Sequence, residues 1–175
     1  MPQKHVPSFA EMMADCQRSA VHLELRDAYG IASEAAEFAA WQQGDDRSRY
    51  DRHGRRKAWL DQVREATGRG VGMRRVRVVS EPLSEYMRFS HAGTALNIEA
   101  GEHIRWLPRR LASDIPFPGN CFWVFDDRVV RFNHFTGEGA SAGPEVRTEP
   151  HVVKLCTTAF EEAWGRAVPH ENYEV

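Results

Sequence analysis

The chain has 175 residues, of which 42% are hydrophobic and 10% aromatic, a size and balance that suit one folded core and exclude a disordered or fibrous chain. No apolar run approaches the roughly 18 residues of a membrane span, and MPQKHVPSFAEMM at the amino terminus lacks an apolar signal core, so a cytoplasmic protein with no membrane contact is expected. The formal charge of -2 conceals an asymmetry: residues 47–77 carry eleven Arg or Lys against three acids, so only this segment suits a polyanion.

One globular domain over 1–175 is expected, with an arginine-rich loop at about 45–57. Cys16, Cys121 and Cys156 are an odd number at unrelated spacings, which fits buried reduced thiols and neither a disulfide framework nor a zinc pattern.

Ser8 and Glu11 have the form of a capping box, and Phe9, Met12, Met13 and Cys16 follow at helical spacing, predicting a helix over about 9–17. AVHLELRD alternates, with Val21, Leu23 and Leu25 on one side and His22, Glu24 and Arg26 on the other, the pattern of a half-buried strand. Helix formers run from Ser33 to Gln43, with Gly44 as a stop. Trp59, Leu60, Val63 and Ala66 predict a helix over about 55–67, and MRRVRVV beyond it reads as a strand. Pro82 suits the first turn of a helix reaching toward Ile98, with Leu83, Tyr86, Met87 and His91 on one side. HIRWL is a strand, PRRLASDIPFPGN a proline-containing loop, and Pro150 opens a last helix carrying Val153, Ala159, Phe160, Ala163 and Trp164.

Between them, GNCFWVFDDRVVRFNHFTGEG reads as a hairpin. A two-residue turn at Asp126 and Asp127 sets Phe125 opposite Arg128, Trp123 opposite Val130 and Cys121 opposite Phe132, with both faces largely apolar. The fold class is therefore α/β of the mixed α+β kind: a single mixed sheet with helices packed on it, early strands parallel through long crossovers, and a late antiparallel hairpin.

No nucleophile elbow, phosphate loop or zinc-protease helix is present, so no catalytic residue, metal or cofactor is assigned. Arg47, Arg49, Arg52, Arg55, Arg56 and Lys57, with Tyr50 among them, form a run able to neutralise phosphates without reading sequence or to dock on an acidic partner. Arg75 and Arg77 fall on one side of their strand and Arg74 on the other; Glu81, Glu85 and Asp126 are the expected charge partners. A pocket at the sheet edge could gather Arg75, Arg77, Glu81, Tyr86, Arg105, Asp126 and His134.

RVRVVSEPLSEYMRF, AGEHIRWLPRR, FWVFDDRVVRFNHFTGEG and KLCTTAFEEAWGRAVPHENY together resemble an actinobacterial family of a domain of unknown function, encoded beside helix-turn-helix regulators of the WhiJ type; the likeness runs from about Phe9 to Tyr173. The resemblance implies a non-enzymatic accessory protein that binds such a regulator and modulates its hold on DNA, with DNA met through the complex; a homodimer stays open. Sheet order and FWVFDDRVV also resemble phospholipase-D-like domains, whose catalytic pattern of His, any residue, Lys is missing here, since none of the eight histidines has Lys two positions later. The alternatives are a toxin-like nuclease or other hydrolase, using Arg77, Tyr86, Arg105, Asp126 and His134, and a small-molecule sensor using the same pocket without catalysis.

Overall fold

The computed structural model describes residues 6–175. Helix α1 (Phe9–Asp15) starts as its capping box requires, with Ser8 accepting from the Glu11 backbone and Glu11 accepting from that of Ser8. Strand β1 is Ser19–Glu24, and a 3-10 turn at Ala32–Glu34 leads into α2 (Ala35–Gln42). Another short 3-10 turn, Arg47–Tyr50, precedes α3 (Lys57–Gly68), β2 (Gly72–Val79), α4 (Glu85–Glu99) and β3 (His103–Pro108). Strands β4 (Cys121–Phe125), β5 (Val129–Phe135) and β6 (Ser141–Arg147), helix α5 (Pro150–Arg166) and the two-residue β7 (Val168–Pro169) complete the order.

The seven strands form one mixed sheet ordered β6-β5-β4-β1-β2-β3-β7. β1, β2 and β3 run parallel because helical crossovers join them, whereas β4, β5 and β6 form an antiparallel meander beside β1. Helix α5 covers one face, where Val153, Cys156 and Phe160 meet Leu23, Val76 and Phe122. α1, α3 and α4 cover the other, where Met13, Leu60 and Leu96 meet Ala20, Met73 and Trp123. A third cluster, with Tyr86, Met87, Trp106 and Tyr173, packs α4 and the chain's last turn on the β3 side.

Three expectations are corrected. Pro82 lies before α4, which is capped by Ser84, whose hydroxyl accepts from the Met87 backbone. The strands β6 and β7 went unforeseen: β6 contains Gly143 and Pro144, and it tolerates them as the outer edge of the sheet, where the missing proline N–H leaves no partner unpaired. The hairpin register is also shifted. Asp126 and Asp127 form the turn, both with positive φ, closed by the Arg128 N–H on Phe125 O at 3.0 Å, but pairing resumes one residue later. Phe125 faces Val129, Trp123 faces Arg131 and Cys121 faces Asn133. A slip of one residue moves every β5 side chain to the opposite face, so Val130 and Phe132 join the α5 core while Arg131 and Asn133 join Trp123. The second face is consequently polar in its middle.

Asp126 fixes this turn to the start of β1. Its carboxylate accepts from the backbone N–H groups of Gln17 at 2.8 Å, Arg18 at 2.7 Å and Ser19 at 3.0 Å, and from the Cys16 thiol at 3.4 Å. Burial alone would raise its pKa, yet the three amides outweigh burial and hold the group ionised below its ordinary value. Asp126→Asn, which keeps the turn conformation but loses the charge, is expected to lower unfolding free energy by about 1–3 kcal/mol in urea titrations at pH 7. Because the native pKa is depressed, this advantage of the wild type is present above the unfolded value near 4 and disappears as pH falls through the native value. A constant difference down to pH 2 would contradict the assignment.

Candidate functional site

The polar middle of the sheet comes from alternation on neighbouring strands. His22 and Glu24 share one side of β1, Arg75 and Arg77 the matching side of β2, and in register His22 lies beside Arg75 and Glu24 beside Arg77. On the other flank His22 pairs with Trp123, and Trp123 with Arg131, so Arg75, His22, Trp123 and Arg131 form a row across four strands. The imidazole stacks on the Trp123 ring at 4.2 Å between centroids.

Beside the His22 and Arg75 part of this row lies a cavity of about 260 Å³, lined by His22, Glu24, Arg75, Arg77, Cys121 and Asn133 from the sheet and by Tyr29, Ile31, Glu34, Tyr86, Met87, Ser90 and Phe135 around it. A smaller chamber of about 60 Å³ adjoins it past Glu34, Arg77 and Ser90, and reaches Arg49, Arg55 and Arg56. The segment leading into α2 roofs both. Tyr86 donates to Glu34 at 2.5 Å, and Arg55 reaches Glu37 through two bonds of 3.0 Å.

Charges here are buried in ordered pairs. Arg75 donates to Glu24 at 2.8 Å and to Glu102 at 2.6 Å, and Glu102, itself 1% exposed, accepts from Asn97 at 2.7 Å. Gly101 sets the turn that delivers Glu102: its φ is +112°, and a Cβ there would meet Thr67 Oγ1 at 2.8 Å. Arg77 Nε lies 2.8 Å from Glu24 Oε2, a charge contact whose angle makes no hydrogen bond, and among the described residues Arg77 Nε and Nη1 and His22 Nδ1 are buried without a hydrogen-bond partner.

Burial pushes the Glu24 carboxyl up, but Arg77 and then Arg75 outweigh it and bring it down to about 2. Burial likewise works against the charge on Arg75, and Glu102 and Glu24 reverse that, raising its pKa. For His22 burial and the Arg75 charge act together, so the ring is neutral. Burial raises the Cys121 thiol and the Tyr29 and Tyr86 hydroxyls above their ordinary values, which keeps all three protonated. A protonated thiol or phenol is a donor and a poor nucleophile. The wall combines aromatic surface with the Glu24 and Glu34 carboxylates and the Arg75 and Arg77 guanidinium groups. Tyr86 is bonded to Glu34 and Arg75 to Glu24 and Glu102, so Arg77 is the donor open to an anion with an apolar body.

Of the residues expected to gather in a pocket, Arg75, Arg77 and Tyr86 meet in this cavity. Arg105 points to the α5 side, 4.2 Å over the Trp164 ring, with its guanidinium on Trp164 O. Glu81 accepts from Tyr173 at 2.9 Å, Asp126 is committed to residues 16–19, and His134 sits at the β5–β6 edge, 3.2 Å from Glu145. The partners of Arg75 are Glu24 and Glu102, not Glu81, Glu85 or Asp126, because β1 and the α4–β3 turn lie against β2 and the others do not.

In the arginine run each cation has an intramolecular partner: Arg47 on Asp45, Arg49 on Asp46, Arg52 on Glu99, Arg55 on Glu37, Arg56 on Asn97 and Gly93 O, and Lys57 on Asp61. Among the described residues no group of three or more His, Cys, Asp or Glu could hold a metal ion, and no helix is long and apolar enough to cross a membrane.

A sheet of this topology with a polar centre places the chain in the fold of a phospholipase D family member, Nuc from Salmonella typhimurium, which it matches with a TM-score of 0.54 at 12% identity over 95% of this chain and 88% of that one. The archaeal chromatin protein TrmBL2 aligns with a TM-score of 0.48 at 16% identity, over 90% of this chain and 47% of that one. No curated protein matches. Residues 7–175 match the family model "Domain of unknown function (DUF6879)", and the chain belongs to that family.

His22 supplies a direct check on the site's electrostatics. Its native pKa lies below the unfolded value of about 6.5, so the contribution of the neutral ring is complete above that value and is lost as pH falls through it. The ring is expected to stay neutral in nitrogen-15 spectra down to pH 5. Stability should fall below pH 6.5 by about 1.4 kcal/mol per pH unit for this one proton, and His22→Gln should remove that slope.

Proposed function

We propose that this chain is a non-catalytic receptor for a small anion with an apolar or aromatic body, and that it serves as the accessory protein of a helix-turn-helix regulator. The observation that carries the receptor reading is Arg77, which lines both chambers with its buried Nη1 lacking a hydrogen-bond partner and its Nε in charge contact with Glu24 alone. A buried donor without a partner costs about 1–3 kcal/mol, and a bound carboxylate or phosphate removes that penalty. Tyr29, Tyr86, Phe135 and Met87 supply the apolar wall for the rest of the ligand.

The accessory role rests on the likeness of the four quoted segments to an actinobacterial family encoded beside WhiJ-type regulators. Ligand sensing gives such a partner something to report. Binding is favoured over hydrolysis because the thiol and phenols of the cavity are held protonated, and because none of the eight histidines has the Lys two positions later that the phospholipase D pattern requires. The neutral His22 has base character, so the hydrolase reading has its own test.

Titration calorimetry with benzoate and with inorganic phosphate separates the two anion classes. One of them is expected to bind the wild type and to weaken tenfold or more with Arg77→Gln, the loss of about 1.4 kcal/mol or more that a charged hydrogen bond represents. Absence of binding by either would sink the receptor reading. Turnover of bis-(p-nitrophenyl) phosphate that disappears in His22→Gln would replace it with a hydrolase. Recovery of a helix-turn-helix protein in stoichiometric amount on native pull-down checks the partner.

A further inference from the structure

A line of polar contacts leaves the cavity through the protein interior. Glu24, which faces Arg77, holds Arg75; Arg75 holds Glu102; and Glu102 holds the Asn97 amide. The Asn97 carbonyl oxygen accepts from Arg56 Nη2, and Arg56 Nη1 donates to Gly93 O at 2.6 Å. Arg56 is the residue before α3 and the anchor of the arginine-rich segment 45–57. Arg55 ties the same segment to the cavity roof through Glu37 and Glu34.

The outer part of that segment is different in kind. Arg47 is 89% exposed, and Arg49, Arg52 and Lys57 are paired with acids at the surface, where such pairs contribute about 0–1 kcal/mol and exchange readily for other anions. Tyr50 stands exposed beside Arg49, whose guanidinium lies 4.8 Å over its ring. Closely spaced arginines with one aromatic side chain suit a nucleic-acid backbone, which releases counterions as its phosphates are neutralised.

We propose that segment 45–57 is a contact surface for the phosphate backbone of a nucleic acid, and that an anion in the cavity steadies it through the Glu24–Arg75–Glu102–Asn97–Arg56 line. This rests on the receptor reading above. The sign follows from charge. Arg56 is half-buried near Arg77, Arg55 and Arg75, and desolvation and then these three cations weaken its hold on a proton, lowering its pKa to about 10. An anion beside Arg77 offsets part of that repulsion, so Arg56 sits more firmly on Asn97 and Gly93 O and the segment ahead of it is more ordered. Asn97 lines neither chamber, which makes it a positioning residue that can be changed without touching the ligand.

The test uses the full chain, a mixed-sequence DNA duplex, and benzoate and inorganic phosphate as probes. Duplex affinity is read by fluorescence anisotropy, and order in 45–57 by amide hydrogen exchange. With a binding probe at saturation, both duplex affinity and protection of 45–57 are expected to rise about fivefold or more. Asn97→Ala should abolish both responses while probe affinity stays within about twofold; Asn97→Ser serves as a second variant if Asn97→Ala does not fold. The double change Arg47→Glu and Arg52→Glu should weaken duplex binding at least tenfold and leave probe binding unchanged. A probe that binds without altering exchange or duplex affinity overturns the coupling and leaves the receptor standing. A duplex indifferent to the Arg47 and Arg52 changes overturns the surface, and failure of both probes to bind overturns the receptor reading and the coupling with it.

Discussion

The constraint on which this structure turns is the burial of Glu24, Arg75 and Glu102 between a sheet and its helical cover. Taking one charge from water into a protein interior costs several kcal/mol, and only close opposite charges and complete hydrogen bonding offset it. Each neighbouring element is placed to meet that demand. β1 and β2 run parallel and in register so that Glu24 stands beside Arg77 and within reach of Arg75, and the Gly101 turn brings Glu102 under the same guanidinium. Trp59 and Trp123 stand near Arg75, its guanidinium 5.8 Å from each ring, which keeps water from the pair without unsatisfied polar contacts. Replacing buried ion pairs by apolar side chains of similar volume is often neutral or stabilising, whereas removing one partner alone leaves an uncompensated charge and costs several kcal/mol.

The hairpin at Asp126 and Asp127 is the second device that shapes the site. Its one-residue offset places Arg131 and Asn133 on the polar side and Val130 and Phe132 under α5. Without the offset, β5 would present Val130 and Phe132 on the cavity side and bury Arg131 in the apolar cluster beneath α5. Asp126 holds the offset by bonding the backbone of residues 17–19, which links the turn to the beginning of the strand that carries His22 and Glu24. Turn and cavity are therefore one construction, although Asp126 lies outside the cavity.

Much of the architecture was legible in the sequence because local rules and tertiary structure agreed. The Ser8–Glu11 capping box, Pro150 at the start of α5 and the parallel strands joined by helices all follow from short-range chemistry. The site was less legible. In AVHLELRD the alternation of His22 and Glu24 with apolar residues is the pattern of a strand with one wet face, and the same pattern serves a face sealed by helices when charges on a second strand complete it. RRVRV carried that complement in Arg75 and Arg77, but the pairing of two segments about fifty residues apart is a matter of register that neither segment states. Glu102 and Asn97 gave no signal at all, since a glutamate after a glycine and an asparagine in a helix are ordinary on any surface. The hairpin shift was hidden for a different reason: two aspartates in a turn fit a two-residue connection as well as the observed one, and a positive φ at both does not fix where pairing resumes.

The arginine-rich segment shows how composition misleads when partners are not visible. Counted along the chain it is strongly basic, yet in the fold Glu37, Glu99 and Asp61 stand against it from three helices and neutralise much of its field at short range. What remains is graded. Arg55 and Arg56 are drawn inward and act as structural ties, while Arg47, Arg49 and Arg52 keep exposed guanidinium groups in weak pairs. A surface of this kind binds a polyanion less tightly than its residue count implies, because each phosphate must displace a carboxylate.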